Sequence, residues 1–323
     1  MPSGVHLTSN HDEVMKVTVV SHDAGGAEVL ASYVAQQGLQ CAFVLGGPAV
    51  SVFERRLGQV VQSLSLEEGV ARSDWLLCGT SWQSDLEWRA IDTGRRTGKR
   101  TIAFLDHWVH FRERFVRHGI EHLPDEIWVG DPQAEAIARQ CFAGHSIRLI
   151  PNPYFQDIRE EVALHGQAKP ATTERGSGLN VLFVCEPLSE HGLREFGDER
   201  HWGYTEYDAL RYFFRNIGAL GRPVDRVVVR PHPSEPAGKY DWVTEEFGVR
   251  VGVGGKKALL HEVAESDVVV GCESMAMVVG LIAGCRAVSC IPPGGRPCAL
   301  PLSEIESLQA LVAASNKSGR IVN

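Results

Sequence analysis

The sequence predicts an α/β protein built as two Rossmann-like domains that face each other across a cleft. Three observations carry this reading. Short apolar runs without polar alternation recur along the whole chain, separated by stretches of helical period, the mark of parallel sheets covered on both faces. A polar segment rich in Gly, Pro and Thr interrupts the pattern near the middle, and the pattern then restarts. At 323 residues the chain is longer than one core usually fills, and two domains of about 150 residues each are the natural solution.

In the first half, Val17–Val20, Ala42–Leu45, Trp75–Cys78, Thr101–Leu105, Glu126–Val129 and Ile147–Ile150 read as buried strands. Ala27–Gln37 and Pro132–Cys141 read as helices between them. Leu164–Gly178 (LHGQAKPATTERGSG) is the linker. The second half repeats the strand pattern at Leu179–Cys185, Arg226–Arg230, Val249–Val253, Asp267–Val270 and Ala287–Ile291. The expected domains are therefore 1–163 and 179–323, joined by residues 164–178. Two such arrays place their ligand at the carboxyl ends of the strands.

Bulk chemistry narrows the function. A net charge of −8 excludes a general nucleic-acid binder, which needs a basic surface, yet leaves room for local phosphate binding. The eight cysteines form no CxxC pair and fit no zinc spacing; several sit in apolar runs, so reduced structural thiols and a cytoplasmic setting are expected. Residues 1–13 carry no apolar core of a signal peptide, and no apolar run reaches the roughly 18 residues of a membrane span. No metal motif stands out: there is no HExxH, and the HxxxH pair His118 and His122 encloses Gly119 and reads as surface.

Strand ends hold the candidate chemistry. After the first strand come His22, Asp23, Ala24, Gly25 and Gly26, a turn opening a helix whose first N–H groups can meet a ligand. Asp23 can also be read as a simple helix cap, and the full GxGxxG of a dinucleotide site is missing. Asp106, His107, Trp108, His110, Phe111, Arg112, Glu113, Arg114 and Phe115 follow the fourth strand. A cap at Asp106 followed by an amphipathic helix with Trp108, Phe111 and Phe115 inward accounts for the aromatics, but it leaves His107, Arg112 and Arg114 without a task. Cys78–Trp82 offers small hydroxyl residues at a third strand end.

The second half carries the most specific string, Arg230-Pro231-His232-Pro233-Ser234. Two prolines restrict the backbone around His232, which projects from a strand end. Its expected partner is Gly271-Cys272-Glu273-Ser274, where a strand gives way to a small-residue helix. The helix amino end offers N–H groups and partial positive charge to a phosphate. Ser274 adds a hydroxyl, and Glu273 is assigned to a ribose hydroxyl or to orienting His232. Glu186, after the first strand of this half, opens a charged stretch through Glu206 that reads as a long loop able to close over a ligand.

These features resemble GT-B glycosyltransferases. The resemblance covers the whole chain as architecture, including a PNPY turn at Pro151–Tyr154, and is specific at Arg230–Ser234 and Gly271–Ser274. Bacterial sialyl-, polysialyl- and Kdo-transferases of this type grip the phosphate of a CMP-sugar with such His-Pro and Ser motifs. The resemblance implies that His232 and Ser274 hold the phosphate of a phosphate-activated, nucleotide-linked donor; Arg230 and Ser234, beside His232 in the sequence, are the further candidates for binding it. It also implies a glycan or lipid-linked acceptor of surface polysaccharide synthesis, possible peripheral membrane association, no cofactor and no obligatory metal. Those enzymes take a base from a paired-acid-Gly motif. The literal match, Glu67-Glu68-Gly69, precedes a strand and is not carried over, so Asp23, His22, Asp106 and His107 all stand as candidates. A hydrolase or 2-epimerase of nucleotide sugars, a pentose-diphosphate donor, and a non-catalytic anion binder are the rival readings.

Overall fold

A computed structural model of the chain describes residues 16–81, 84–166, 178–248 and 250–318. The chain divides into two compact units, 1–154 and 155–323. Most of the expected linker, residues 167–177, lies outside the described residues, as does Trp82.

The first unit runs β1 (Val17–Ser21), α1 (Ala24–Gln37), β2 (Cys41–Leu45), α2 (Ala49–Leu57), α3 (Leu66–Arg72), β3 (Trp75–Cys78), α4 (Leu86–Arg96) and β4 (Arg100–Leu105). A small hairpin, β5 (Val116–Arg117) and β6 (Ile120–Glu121), precedes β7 (Glu126–Val129), α5 (Pro132–Cys141) and β8 (Ile147–Leu149). The main sheet is parallel throughout, in the order β2-β1-β3-β4-β7-β8. Outside β2 a single parallel bridge, Phe43 to Ser63, marks a further strand reduced to one residue. The Ser63 hydroxyl completes it by accepting from Leu45 N and donating to Leu45 O.

α6 (Pro153–Gly166) leads into the second unit. There β9 (Leu179–Val184), α7 (Leu188–Phe196), α8 (Glu206–Arg215), β10 (Val224–Arg230), α9 (Trp242–Phe247) and β11 (Val251–Val253) follow. The chain ends in α10 (Leu259–Ala264), β12 (Val268–Gly271), α11 (Met275–Ile282), β13 (Arg286–Ser289), β14 (Ile305–Ser307) and α12 (Leu308–Ser318). This sheet is also parallel, ordered β11-β10-β9-β12-β13-β14, the Rossmann sequence of strands. Both expected domains are thus Rossmann-like.

Each unit has its own core. In the first, Val19, Leu30, Phe53, Leu77 and Phe104 cluster between sheet and helices; in the second, Phe183, Phe213, Val229, Tyr240 and Val270 do so. Complete burial of such a side chain contributes about 1.5–3 kcal/mol. None of the eight cysteines forms a disulfide, and no helix among the described residues is long and apolar enough to cross a membrane.

One alternative reading and one expectation are corrected. No amphipathic helix follows Asp106: a loop with His110 at φ +58° runs to a 3₁₀ turn at Glu113–Phe115. Trp108, Phe111 and Phe115 are nevertheless buried, because the loop itself folds them inward. The charged stretch after Glu186 is not an open loop. It forms α7, and Ser189 anchors the start of that helix to Glu206 at the start of α8.

Candidate functional site

In an open parallel sheet, ligands bind outside the carboxyl ends of the strands where strand order reverses. In the first unit that point lies between β1 and β3, so it is flanked by His22–Asp23 and Gly79–Ser81. The side chains there are joined. Asp23 Oδ1 accepts from His22 Nδ1 at 2.8 Å and from the Ser81 hydroxyl at 2.7 Å. A carboxylate only accepts, so Nδ1 carries a proton, and in the neutral ring Nε2 holds the lone pair. The two side chains are 23% and 21% exposed, sheltered yet reachable. Gly47, at φ +50°, makes room for the ring: a Cβ there would lie 2.6 Å from Nε2. Asp23 sits at the cap position of α1 but makes no side-chain cap bond, so the cap reading of this residue fails.

Asp106 and His107 belong to a separate arrangement. Asp106 Oδ1 pairs with Arg114 Nη1 at 2.8 Å, both side chains nearly buried, and Arg114 Nη1 also donates to Thr80 Oγ1. Arg114 thereby acquires the task that sequence left open. A Cβ on Gly25 would collide with Asp106 Oδ2. Gly25 therefore has a reason within the fold, room for an internal carboxylate at the amino end of α1. At Gly26 a Cβ would meet only ordinary contacts of 3.5 Å, so close backbone approach does not explain that glycine. His107 Nδ1 accepts the Trp108 N–H at 3.0 Å, which puts its proton on Nε2. Burial pushes its pKa down to about 4, with Asp106 opposing and Arg114 and His110 reinforcing. Burial thus favours the neutral His107 ring, which presents Nε2–H as a donor. Of the four candidates, His22 alone combines an available ring lone pair with an orienting carboxylate.

In the second unit the reversal lies between β9 and β12, flanked by Glu186 and by Cys272–Ser274. β10, next to β9, ends at Arg230 and delivers His232. Its Nδ1 accepts the Ser234 N–H at 3.2 Å and lies 2.7 Å from the Ser234 hydroxyl, so the proton is on Nε2. The surrounding protein keeps its pKa below the ordinary histidine value, with Glu235 and Glu190 opposing. His232 is thus the counterpart of His22: one ring presents a donor, the other an acceptor.

The His232 loop rests on a buried charge network. Glu235 Oε2 accepts the His232 backbone N–H at 2.7 Å, and its Oε1 accepts from Lys239 Nζ and the Tyr240 hydroxyl. Lys239, 5% exposed, also pairs with Glu206 at 2.6 Å and with Glu190 at 3.0 Å. Glu206 and Glu235 are buried. Their hydrogen bonds and charges raise the Lys239 pKa against the opposing effect of burial.

Three residues assigned to the donor have other partners. Arg230 Nη1 pairs with Glu262 at 2.6 Å and donates to the Lys257 carbonyl, so it ties β10 to α10 instead of offering a free guanidinium. Glu273 accepts from Ala299 N and pairs with Arg296, holding the segment after β13; it does not orient His232. Glu186 Oε1 itself occupies the N–H groups of Cys272 and Glu273, at 2.9 Å each. That internal carboxylate takes the donors sequence assigned to phosphate, and burial pushes its pKa up to about 7 with Glu273 adding repulsion. Ser274 is the cap of α11, its hydroxyl accepting from Ala276 N.

The Glu67-Glu68-Gly69 string lies in α3, where Ser65 and Glu68 form a capping box and Gly69 packs against Thr18 and Val44. His122 is not simple surface: its ring stacks on Trp88 at 4.1 Å. No group of three or more His, Cys, Asp or Glu among the described residues is arranged to hold a metal ion.

Sequence reasoning missed Glu87, Glu235 and Lys239. Glu87 carried a signal, since it shares the helical stripe Glu87, Ala90, Ile91, Gly94 that is buried in α4. Glu235 stands three residues after His232; Lys239 carried none.

No protein-family model matches the sequence, and no curated protein does. Solved structures do match in shape. UDP-GlcNAc 2-epimerase from Neisseria meningitidis bound to UDP-GlcNAc superposes with a TM-score of 0.58 at 9% identity, covering 95% of this chain and 92% of that one. A second UDP-N-acetylglucosamine 2-epimerase gives 0.52 at 10% identity, over 94% and 86% of the two chains. The glycotransferase of kitacinnamycin gives 0.50 at 14% identity, over 93% and 84%. The chain has the GT-B-like fold of two Rossmann-like domains that these epimerases and this glycosyltransferase share.

Proposed function

We propose that the protein is a glycosyltransferase that moves a sugar from a phosphate-activated, nucleotide-linked donor to an acceptor hydroxyl. The observation that carries this reading is the pair of histidines locked in opposite tautomers at strand ends, each in its own unit. His232 Nε2–H and the Ser274 hydroxyl serve the donor phosphate, neutralising charge as the leaving group departs. His22 Nε2 takes the acceptor proton, and Asp23 stabilises the imidazolium that results. Asp106, His107 and Arg114 shape the acceptor side without acting as base. The acceptor is a glycan or lipid-linked saccharide of bacterial surface polysaccharide synthesis, and the work is done in the cytoplasm.

The fold match to an epimerase bound to UDP-GlcNAc puts UDP-sugars first among donors to test and favours a second reading, a nucleotide-sugar 2-epimerase or hydrolase in which water replaces the acceptor. Incubating UDP-, CMP- and GDP-sugars without acceptor separates the two. A transferase releases nucleotide slowly until an acceptor is supplied; rapid release, or a changed sugar at C2, supports the second reading. Chelator should leave the activity intact, and its loss would contradict a metal-independent mechanism.

A further inference from the structure

Glu87 opens the buried stripe of α4 and is 3% exposed. Its Oε1 accepts the His22 backbone N–H at 2.6 Å. Its Oε2 is buried and has no hydrogen-bond partner among the described residues. The groups that act on it are its own backbone N–H, His22 and Asp23 from the β1–α1 turn, Cys78 at the end of β3 and Arg117 from the hairpin. Asp23 is a like charge, and burial holds the Cys78 thiol protonated. Arg117 is the cation among them, yet it forms no ion pair with Glu87. Its Nη1 donates to the Glu113 and Val116 carbonyls and its Nη2 to those of Ser81 and Ser84.

A carboxylate this buried, with one oxygen unpartnered and another carboxylate nearby, is more stable with a proton on it. We propose that Glu87 is a positioning residue that works as a neutral carboxylic acid, its carbonyl oxygen pinning the His22 backbone while Asp23 remains the single negative charge beside the His22 ring. Burial agrees, pushing the Glu87 pKa up to about 8 against the backbone N–H groups of Glu87 and His22 and the Arg117 charge, with Asp23 adding to the rise. The proposal rests on His22 as the base. Its consequence is an alkaline limit: as Glu87 ionises, a second negative charge enters the cluster, favours the protonated His22 ring and slows its return to the free base. No bond is made or broken in this role beyond loss of the Glu87 proton to solvent.

The test needs no substrate, so its failure is distinct from failure of the glycosyltransferase reading. Protein carrying ¹³C at glutamate carboxyls and at histidine Cε1 is titrated by NMR, with Glu87→Gln and His22→Gln assigning the signals. The Glu87 carbon should titrate near pH 8, and the His22 signal should show a step at the same pH that vanishes in Glu87→Gln. A Glu87 carbon already at its ionised position at pH 6, or a His22 step that survives in Glu87→Gln, would overturn the proposal. Should Glu87→Gln not fold, the wild-type carboxyl signal, assigned through its own bonds, decides alone. Once a donor is in hand, the wild-type alkaline loss of kcat should disappear in both Glu87→Gln and Glu87→Ala, which carry nothing to ionise, while Glu87→Ala, lacking the oxygen that accepts from His22 N, should lower kcat at every pH.

Discussion

Replacing Lys239 by Met removes one buried charge while keeping most of the side-chain volume, and its cost can be worked from the structure. Lys239 is 5% exposed and faces Glu206 at 2.6 Å, Glu235 at 2.9 Å and Glu190 at 3.0 Å. Glu190 is 48% exposed and can turn to water. Glu206, 2% exposed, and Glu235, fully buried, cannot. Breaking a buried pair by removing one partner costs about 3–5 kcal/mol, because a charge is left uncompensated. At about 2–4 °C per kcal/mol for a unit of this size, Lys239→Met should melt roughly 6–20 °C lower. The pH window follows from the shifts. The raised Lys239 pKa keeps its contribution complete below about pH 10 and loses it only as pH rises through the folded value. The lowered Glu206 pKa makes its contribution present above about pH 4.3 and lost as pH falls through the folded value. Neutral pH lies within both limits. Thermal melts by circular dichroism at pH 7 provide the assay, and Lys239→Met with Glu235→Gln should recover part of the loss. A melting point within about 2 °C of wild type would refute the assignment of the network as the support of the His232 loop.

Other outcomes follow from the same geometry. Asp23→Asn removes the charge that stabilises a protonated His22, so kcat should fall by about 10²–10⁴ with donor affinity unchanged in a binding titration. Arg114→Met leaves Asp106 uncompensated; denaturant melts should show a loss of about 3 kcal/mol, the low end for a buried pair, because the positive end of α1 partly offsets it. Glu186 has a folded pKa raised to about 7, so the folded state holds a proton that the unfolded state releases near pH 4.3. Stability should therefore decline as pH rises from about 4.3 to 7, and Glu186→Gln should flatten that slope in melts across the range.

Much of the architecture was legible because parallel strands buried on both faces write themselves as unbroken apolar runs, as in Val268-Val269-Val270. β14 was not, because this edge strand is half-exposed and carries Glu306 at its centre. The loop after Asp106 imitated a helix because Trp108, Phe111 and Phe115 sit near helical spacing, while the turn at His110 that breaks the period has no signature in residue type. Prolines around His232 and the turn after β1 pointed to the two histidines on which the proposed function rests. What sequence could not reveal was pairing across the fold. Arg230 meets Glu262 and Glu186 meets Cys272, partners 32 and 86 residues away, and both pairings take groups that looked available to phosphate.

In the proposed reaction His232 holds the phosphate of a nucleotide-linked donor. A thermal-shift panel of UDP, CMP, CDP, GDP, ADP and phosphoribosyl diphosphate, run on wild type and His232→Ala, tests it most directly. At 100 times its dissociation constant the right ligand stabilises by about 2.7 kcal/mol, so one member should raise the wild-type melting point by several degrees and leave His232→Ala unmoved. If no member shifts the wild type, or the same shift persists in His232→Ala, the phosphate site is not where this account puts it.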